Sequence, residues 1–460
     1  MRPDARPSLS RTKETVLDHP RLAPRRTLAA LAASVLLGGA LAASALEPAP
    51  VAARIDAALA ANAPRLIEWR RHLHRNPELG NREAETSRFV AERLRSLGLS
   101  PRTGVAKTGV VALIEGGRPG PVVALRADMD ALPVTEEVDL PFASRATATW
   151  EGKTVGVMHA CGHDTHVAML LDAAQALVAV REDLPGKVLL VFQPAEEGVP
   201  LAEQPAGAEL MVKEGVFEDP RVDAVFGLHV FAQLESGVLG YRRGPLLAAA
   251  DRFEITVQGR QGHGSKPWAA IDPIVVGSEI VTALQTVVSR TLDITHEPAV
   301  LTVGQFEAGV RNNIIPDRAR LVGTIRTFDE AMRDEVHARL RRIAEGVAAA
   351  HGATVRVDVE RGYPVTANDP ALTTRMLPTL ERLAPGRVRE LAKVTGSEDF
   401  SFFANRAPGL FVMVGVTPPD QMATAASNHS PRFYVDEGAL PTGSRALAHL
   451  AAEYLFANAR

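Results

Sequence analysis

Apolar positions recur at three- and four-residue spacing between residues 54 and 97. Ile55, Leu59, Leu66 and Leu73 form one series, and Phe89, Val90, Leu94 and Leu97 a second. That period predicts helix. From about residue 108 short β-rich runs alternate with longer helical patterns, and strands are expected at 109–114, 121–127, 187–192, 222–230 and 409–416. The runs Val122-Val123-Ala124-Leu125-Arg126 and Val188-Leu189-Leu190-Val191-Phe192 read as continuous apolar strands, as strands covered on both faces require. Between them, residues 164–180 place Val167, Leu170, Leu171, Ala174, Leu177 and Val178 on one helical face. Strand, helix, strand implies a parallel α/β sheet.

Residues 251–360 follow another pattern. Arg252-Phe253-Glu254-Ile255-Thr256-Val257 alternates with period two; a helix at 271–290, strands at 299–306 and 318–326, a helix at 329–350 and a strand at 353–359 follow. This β-α-β-β-α-β order is the split ferredoxin-like pattern. The expected organisation is therefore an α/β catalytic domain with a mixed, largely parallel sheet over 52–248 and 361–460, interrupted by an α+β segment at 249–360.

The amino-terminal segment has its own pattern. Arg25-Arg26 precede an apolar run from Leu28 to Ala42, followed by Ala43-Ser44-Ala45. These are the charged, apolar and small-residue parts of a secretory signal. Residues 1–45 are thus expected to be removed on export to a periplasmic or secreted location, with a partial likeness to a twin-arginine signal. The run is short for a membrane span, and nothing later approaches about 18 uninterrupted apolar residues. No stable span is expected in the mature chain.

Composition narrows the function. The formal net charge of −3, from 51 Lys+Arg against 54 Asp+Glu, argues against a nucleic-acid partner. The single Cys excludes an intrachain disulfide and an all-Cys zinc site. It also excludes the two-Cys zinc deaminase signature. The His-Glu-x-x-His and Gly-x-Ser-x-Gly motifs are absent.

Four short segments carry candidate chemistry. In His159-Ala160-Cys161-Gly162-His163-Asp164 the lone Cys stands two residues from a His at a turn opening a helix. Taken alone, the pair reads as metal ligands, as a nucleophile with its base, or as a packed small hydrophobe. Gln193-Pro194-Ala195-Glu196-Glu197-Gly198 follows a strand directly. Hydrolysis at a metal needs one carboxylate to hold the ion and another to accept a proton from water, although such a pair is equally a solvated loop. Gly227-Leu228-His229 and Asn428-His429-Ser430-Pro431 each place an imidazole near a strand, and singly each reads as well as a plain structural histidine. His72 and His74, near Asn76-Pro77, read as a solvated helix end.

Together with Leu125–Pro133, Asn313-Ile314-Ile315-Pro316-Asp317 and Gly396-Ser397-Glu398-Asp399-Phe400, these segments run in an order that resembles one family. It is the amidohydrolases that include aminoacylases, hippurate hydrolases and auxin-amino-acid conjugate hydrolases, relatives of carboxypeptidase G. The resemblance covers about residue 54 to the carboxyl terminus. It implies two divalent metal ions (Zn, Mn, Co or Ni) held by Cys161, His163, Glu197, His229 and His429. Glu196 would be general base and acid, and Asp128 would orient a ligand. The inserted segment would be a lid through which a homodimer forms. His263 would reach the partner's active site and stabilise the oxyanion, and Asn313 and Arg326 would bind the substrate carboxylate. Trp268 stands where many members carry a second histidine, and is expected to shape an apolar acyl pocket.

The activity implied is hydrolysis of N-acyl-amino acids to a carboxylate and an amino acid. A dipeptidase or carboxypeptidase of the same fold is the alternative, with a catalytically silent binding protein behind it.

Overall fold

A computed structural model describes residues 48–459. The expected leader at 1–45 lies outside the described residues. No helix among them is long and apolar enough to cross a membrane.

The first apolar series folds as helix Ala49–Arg75, which buries Ile55, Leu59, Leu66 and Leu73. The second folds as Ala84–Ser96. Asn76-Pro77 separates them, because proline disfavours helical backbone in the residue before it. His74 is buried rather than solvated: its ring bridges Asp164 Oδ2 at 2.9 Å and Glu136 Oε1 at 3.1 Å, while exposed His72 stacks on Phe89.

The main sheet has eight strands. In spatial order they are Arg102–Val105, Gly109–Glu115, Pro185–Gln193, Arg118–Asp128, Ala224–Glu235, Gly409–Thr417, Leu239–Tyr241 and Val388–Glu390. The four long central strands, from Pro185–Gln193 to Gly409–Thr417, are parallel. Their side chains alternate between two cores. Val123, Leu125, Leu190, Phe226 and Val412 pack beneath helices Ala49–Arg75, His163–Ala179 and Leu440–Ala457. Ala124, Leu189, Val225 and Phe411 face Phe400, Phe403 and Met211 on the other side. Burial on both faces explains the unbroken apolar runs. The chain passes from Arg118–Asp128 to one neighbour, Pro185–Gln193, and then to the other, Ala224–Glu235. Such a reversal opens a crevice at the carboxyl ends of the strands.

The inserted segment forms a separate antiparallel sheet ordered Ala299–Ala308, Arg318–Thr327, Ala249–Gln258, Thr354–Arg361. Helices Pro273–Thr286 and Glu330–Ala350 close its core over Phe253, Ile255 and Leu321. Both helices start on an aspartate cap, Asp272 accepting from Ile274 N–H and Asp329 from Met332 N–H. Where the segment leaves and rejoins the main body, Asp251 accepts from Arg333, from Gly362 N–H at 3.1 Å and from His337 at 2.6 Å.

Candidate metal centre

The crevice gathers residues from four segments. Cys161 and His163 open helix His163–Ala179 through Gly162, at φ 94°. A Cβ on Gly162 would lie 2.3 Å from Val230, so glycine serves both the turn and the close approach. Glu196 and Glu197 follow strand Pro185–Gln193, and His229 projects from Ala224–Glu235. His429 sits at φ 72°, with its N–H donating to the Ala160 carbonyl at 2.8 Å. Neighbouring Asn428 donates to the Cys161 and Val230 carbonyls at 3.2 and 3.1 Å, tying three of the segments together.

The five expected ligands come together. Cys161, His163 and His229 present donor atoms within 4.8 Å of one another, and so do Cys161, Glu197 and His429. Cys161 is common to both trios, the arrangement a shared ligand between two ions requires. Second hydrogen bonds orient the imidazoles. His163 Nδ1 meets Asp130 Oδ1 at 3.2 Å and His229 Nδ1 donates to the Val230 carbonyl at 2.7 Å, so each turns Nε2 inward. His163 Nε2 and Glu197 Oε1 are buried without hydrogen-bond partners, although Glu197 Oε1 lies 3.2 Å from His429 Nε2. Inward-facing thiol, imidazole and carboxylate donors with unspent lone pairs fit divalent transition metals.

The orienting partner of His163 is Asp130, not the expected Asp128. Asp128 bonds His166 Nδ1 at 2.5 Å and Arg126 at 2.6 Å. His166 is committed on both sides, since its Nε2 accepts Val230 N–H at 2.9 Å.

Glu196 faces a different environment from Glu197. Its carboxylate lies within 4.8 Å of those of Glu398 and Asp399. Fully buried Arg126 bonds Asp128, Glu398 and Asp399, and Gln193 completes the network at 2.7 Å. Burial, then Glu398, Glu197 and Asp399, push the Glu196 carboxyl well above its ordinary value, against the pull of Arg126. A carboxylate with such proton affinity can take a proton from water and return it.

A cavity of about 340 Å³ opens onto this cluster. Phe231, Leu247, Val394 and Met413 form its apolar wall, and Arg326 and Tyr363 also line it. A cleft of about 610 Å³ lies where the inserted segment meets the main body and one of about 830 Å³ lies along the inserted segment, both away from the donor set. Of the other expected residues, Arg326 enters the cavity, whereas His263 and Asn313 are exposed and outside it. They adjoin each other: Gly264 N–H donates to the Asn313 carbonyl at 2.9 Å. Trp268 is 79% exposed, so the apolar wall in this chain comes from other residues.

Reasoning from sequence assigned no role to Arg126, Asp130, His166, Tyr363, Glu398 or Asp399. A charged residue within the apolar run Val122–Ala127 was the available signal for Arg126. The acids of Gly396–Phe400 signalled only as part of a motif.

A largely parallel sheet covered on both faces, with a paired-metal donor set and a buried carboxyl at its carboxyl edge, fits a metallohydrolase. The chain belongs to peptidase family M20/M25/M40, whose profile matches residues 124–453. It is a metal-dependent hydrolase of amide bonds. It is 42% identical over 391 residues to thermostable carboxypeptidase 2 of Saccharolobus solfataricus, covering 85% of this chain and 95% of that one. It is 45% identical over 303 residues to an N-acyl-L-amino acid amidohydrolase of Geobacillus stearothermophilus, covering 66% and 78%. Among solved structures, the Bacillus subtilis YXEP protein, a dinuclear metal-binding peptidase of the M20 family, superposes with a TM-score of 0.72 at 36% identity, covering 86% of this chain and 99% of that one.

Proposed function

We propose that this chain hydrolyses N-acyl-amino acids, releasing a carboxylate and a free amino acid. One observation carries the reading: Arg326, Glu196, the donors Cys161, Glu197, His229 and His429, and an apolar wall share a single cavity. An N-acyl-amino acid offers a matching carboxylate, scissile amide and apolar acyl group. Arg326 would bind the carboxylate, its guanidinium already steadied by the Ile325 carbonyl at 3.1 Å. Phe231, Leu247, Val394 and Met413 would pack the acyl group and exclude water. Two divalent ions held by Cys161, His163, Glu197, His229 and His429 would supply Lewis acidity and make water acidic near neutral pH. Glu196 accepts the proton of the attacking water and delivers it to the departing nitrogen.

We propose further that the inserted segment pairs two copies, so that His263 and Asn313 serve the partner's cavity. The His263 ring supports this. Its Nδ1 accepts Ser265 N–H at 3.0 Å, which leaves a proton on exposed Nε2 for donation to an oxyanion.

The relative named a carboxypeptidase favours a second reading, because Arg326 suits a peptide's terminal carboxylate equally. A panel of N-acyl-amino acids and dipeptides, assayed with metal-loaded protein, separates the two. Higher kcat/KM on the N-acyl series is expected, and preference for unblocked dipeptides would overturn the proposal.

A further inference from the structure

The strand-to-loop turn that carries Glu196 is held in an unfavourable conformation. Ala195 has φ 53°, in the left-handed region that residues with a Cβ enter rarely and keep only when their surroundings enforce it. Three contacts from outside the turn do so. Ala195 N–H donates to Glu83 Oε1 at 2.8 Å, Glu197 N–H donates to Asp130 Oδ2 at 2.9 Å, and the Tyr363 hydroxyl donates to the Glu196 carbonyl at 2.7 Å. The first two come from the chain before the inserted segment. Tyr363 lies where that segment rejoins the main body. Its own carbonyl accepts Ala250 N–H at 3.0 Å, and the adjacent Gly362 N–H donates to Asp251. Its ring packs edge-on against Phe402, centroids 6.1 Å apart.

We infer that Tyr363 is a positioning residue: its hydroxyl fixes the backbone of Glu196 and links the placement of that carboxylate to the crossing of the inserted segment. The inference rests on Glu196 being the proton-transfer group. A carboxylate displaced by a fraction of an ångström loses alignment with the attacking water, and such losses fall on turnover rather than on binding.

Tyr363→Phe keeps the ring against Phe402 and deletes only the donor. Expected are a fall in kcat of about 10- to 100-fold, unchanged KM and cation content, and faster hydrogen exchange at the Ala195 and Glu197 amides. Unchanged kcat overturns the inference, whether or not the melting temperature falls. A raised KM with kcat retained overturns it as well, since that marks a hydroxyl that binds substrate. Should wild-type protein cleave no N-acyl-amino acid and no dipeptide, the functional reading fails separately. Amide exchange then decides: faster exchange at Ala195 and Glu197 supports the positioning role, and unchanged exchange refutes it.

Discussion

Burial resists ionisation of the Cys161 thiol, and the Glu197 and Glu196 carboxylates add to that resistance. A cation bound beside it would favour the thiolate. Glu196 and Glu197 show how one peptide unit divides two tasks. Both carboxylates reach His163 Nε2, at 4.0 and 3.9 Å, but Glu197 also meets His429 whereas Glu196 also meets the acids held by Arg126. The five donors that meet in the crevice were legible through the ordered motifs of the family resemblance, since singly each histidine read as well as a structural one. The residues that support them were not. Asp130 and Asp128 are two residues apart and chemically alike, and only the direction of each side chain decides that Asp130 orients His163 while Asp128 pairs with His166 and Arg126. Tyr363 lies far from Glu196 in sequence, and no periodicity marks their contact.

At the scale of elements, the long strands were legible because burial on both faces leaves unbroken apolar runs, as in Val188–Phe192. The short strands Leu239–Tyr241 and Val388–Glu390 were not, since three residues carry no period. Helices Pro370–Leu383 and Leu440–Ala457 also went unassigned within a stretch read only as α/β. The inserted sheet depends on Asp251 at its crossing. Burial opposes the charge of Asp251, but Arg333 and His337 outweigh burial and hold its carboxyl well below the ordinary range. A depressed native pKa stabilises the fold fully above the unfolded value of about 3.9, and that contribution drains away as pH falls towards the native value. Asp251→Asn leaves the buried Arg333 with only the exposed Glu330 as an anionic partner and should cost about 2–3 kcal/mol in denaturant unfolding at neutral pH. The deficit should shrink as the pH of the unfolding series is lowered below about 4. Equal stability of variant and wild type at neutral pH would show that Asp251 does not secure the crossing.

At the scale of the molecule, the main sheet supplies the clustered thiol, imidazole and carboxylate donors and Glu196, while the inserted sheet supplies Arg326 and leaves His263 facing solvent. His263 is exposed and does not line the cavity of its own chain, so the pairing proposed above has a direct test. His263→Ala and Glu196→Gln should each be nearly inactive, and mixing them under subunit exchange should restore part of the activity, up to about a quarter of that of the same amount of wild-type sites. Absence of any recovery, with hybrids demonstrated by mass spectrometry, would place both groups in the service of the same chain. The central claim is that Glu196 moves the proton at a metal site that Glu197 helps to hold. The most direct test measures cation content by elemental analysis, alongside amide turnover, in Glu196→Gln and Glu197→Gln. Glu196→Gln should retain the wild-type cation content and lose about 10²–10⁴-fold in kcat, whereas Glu197→Gln should lose cation. Wild-type turnover in Glu196→Gln would contradict the account.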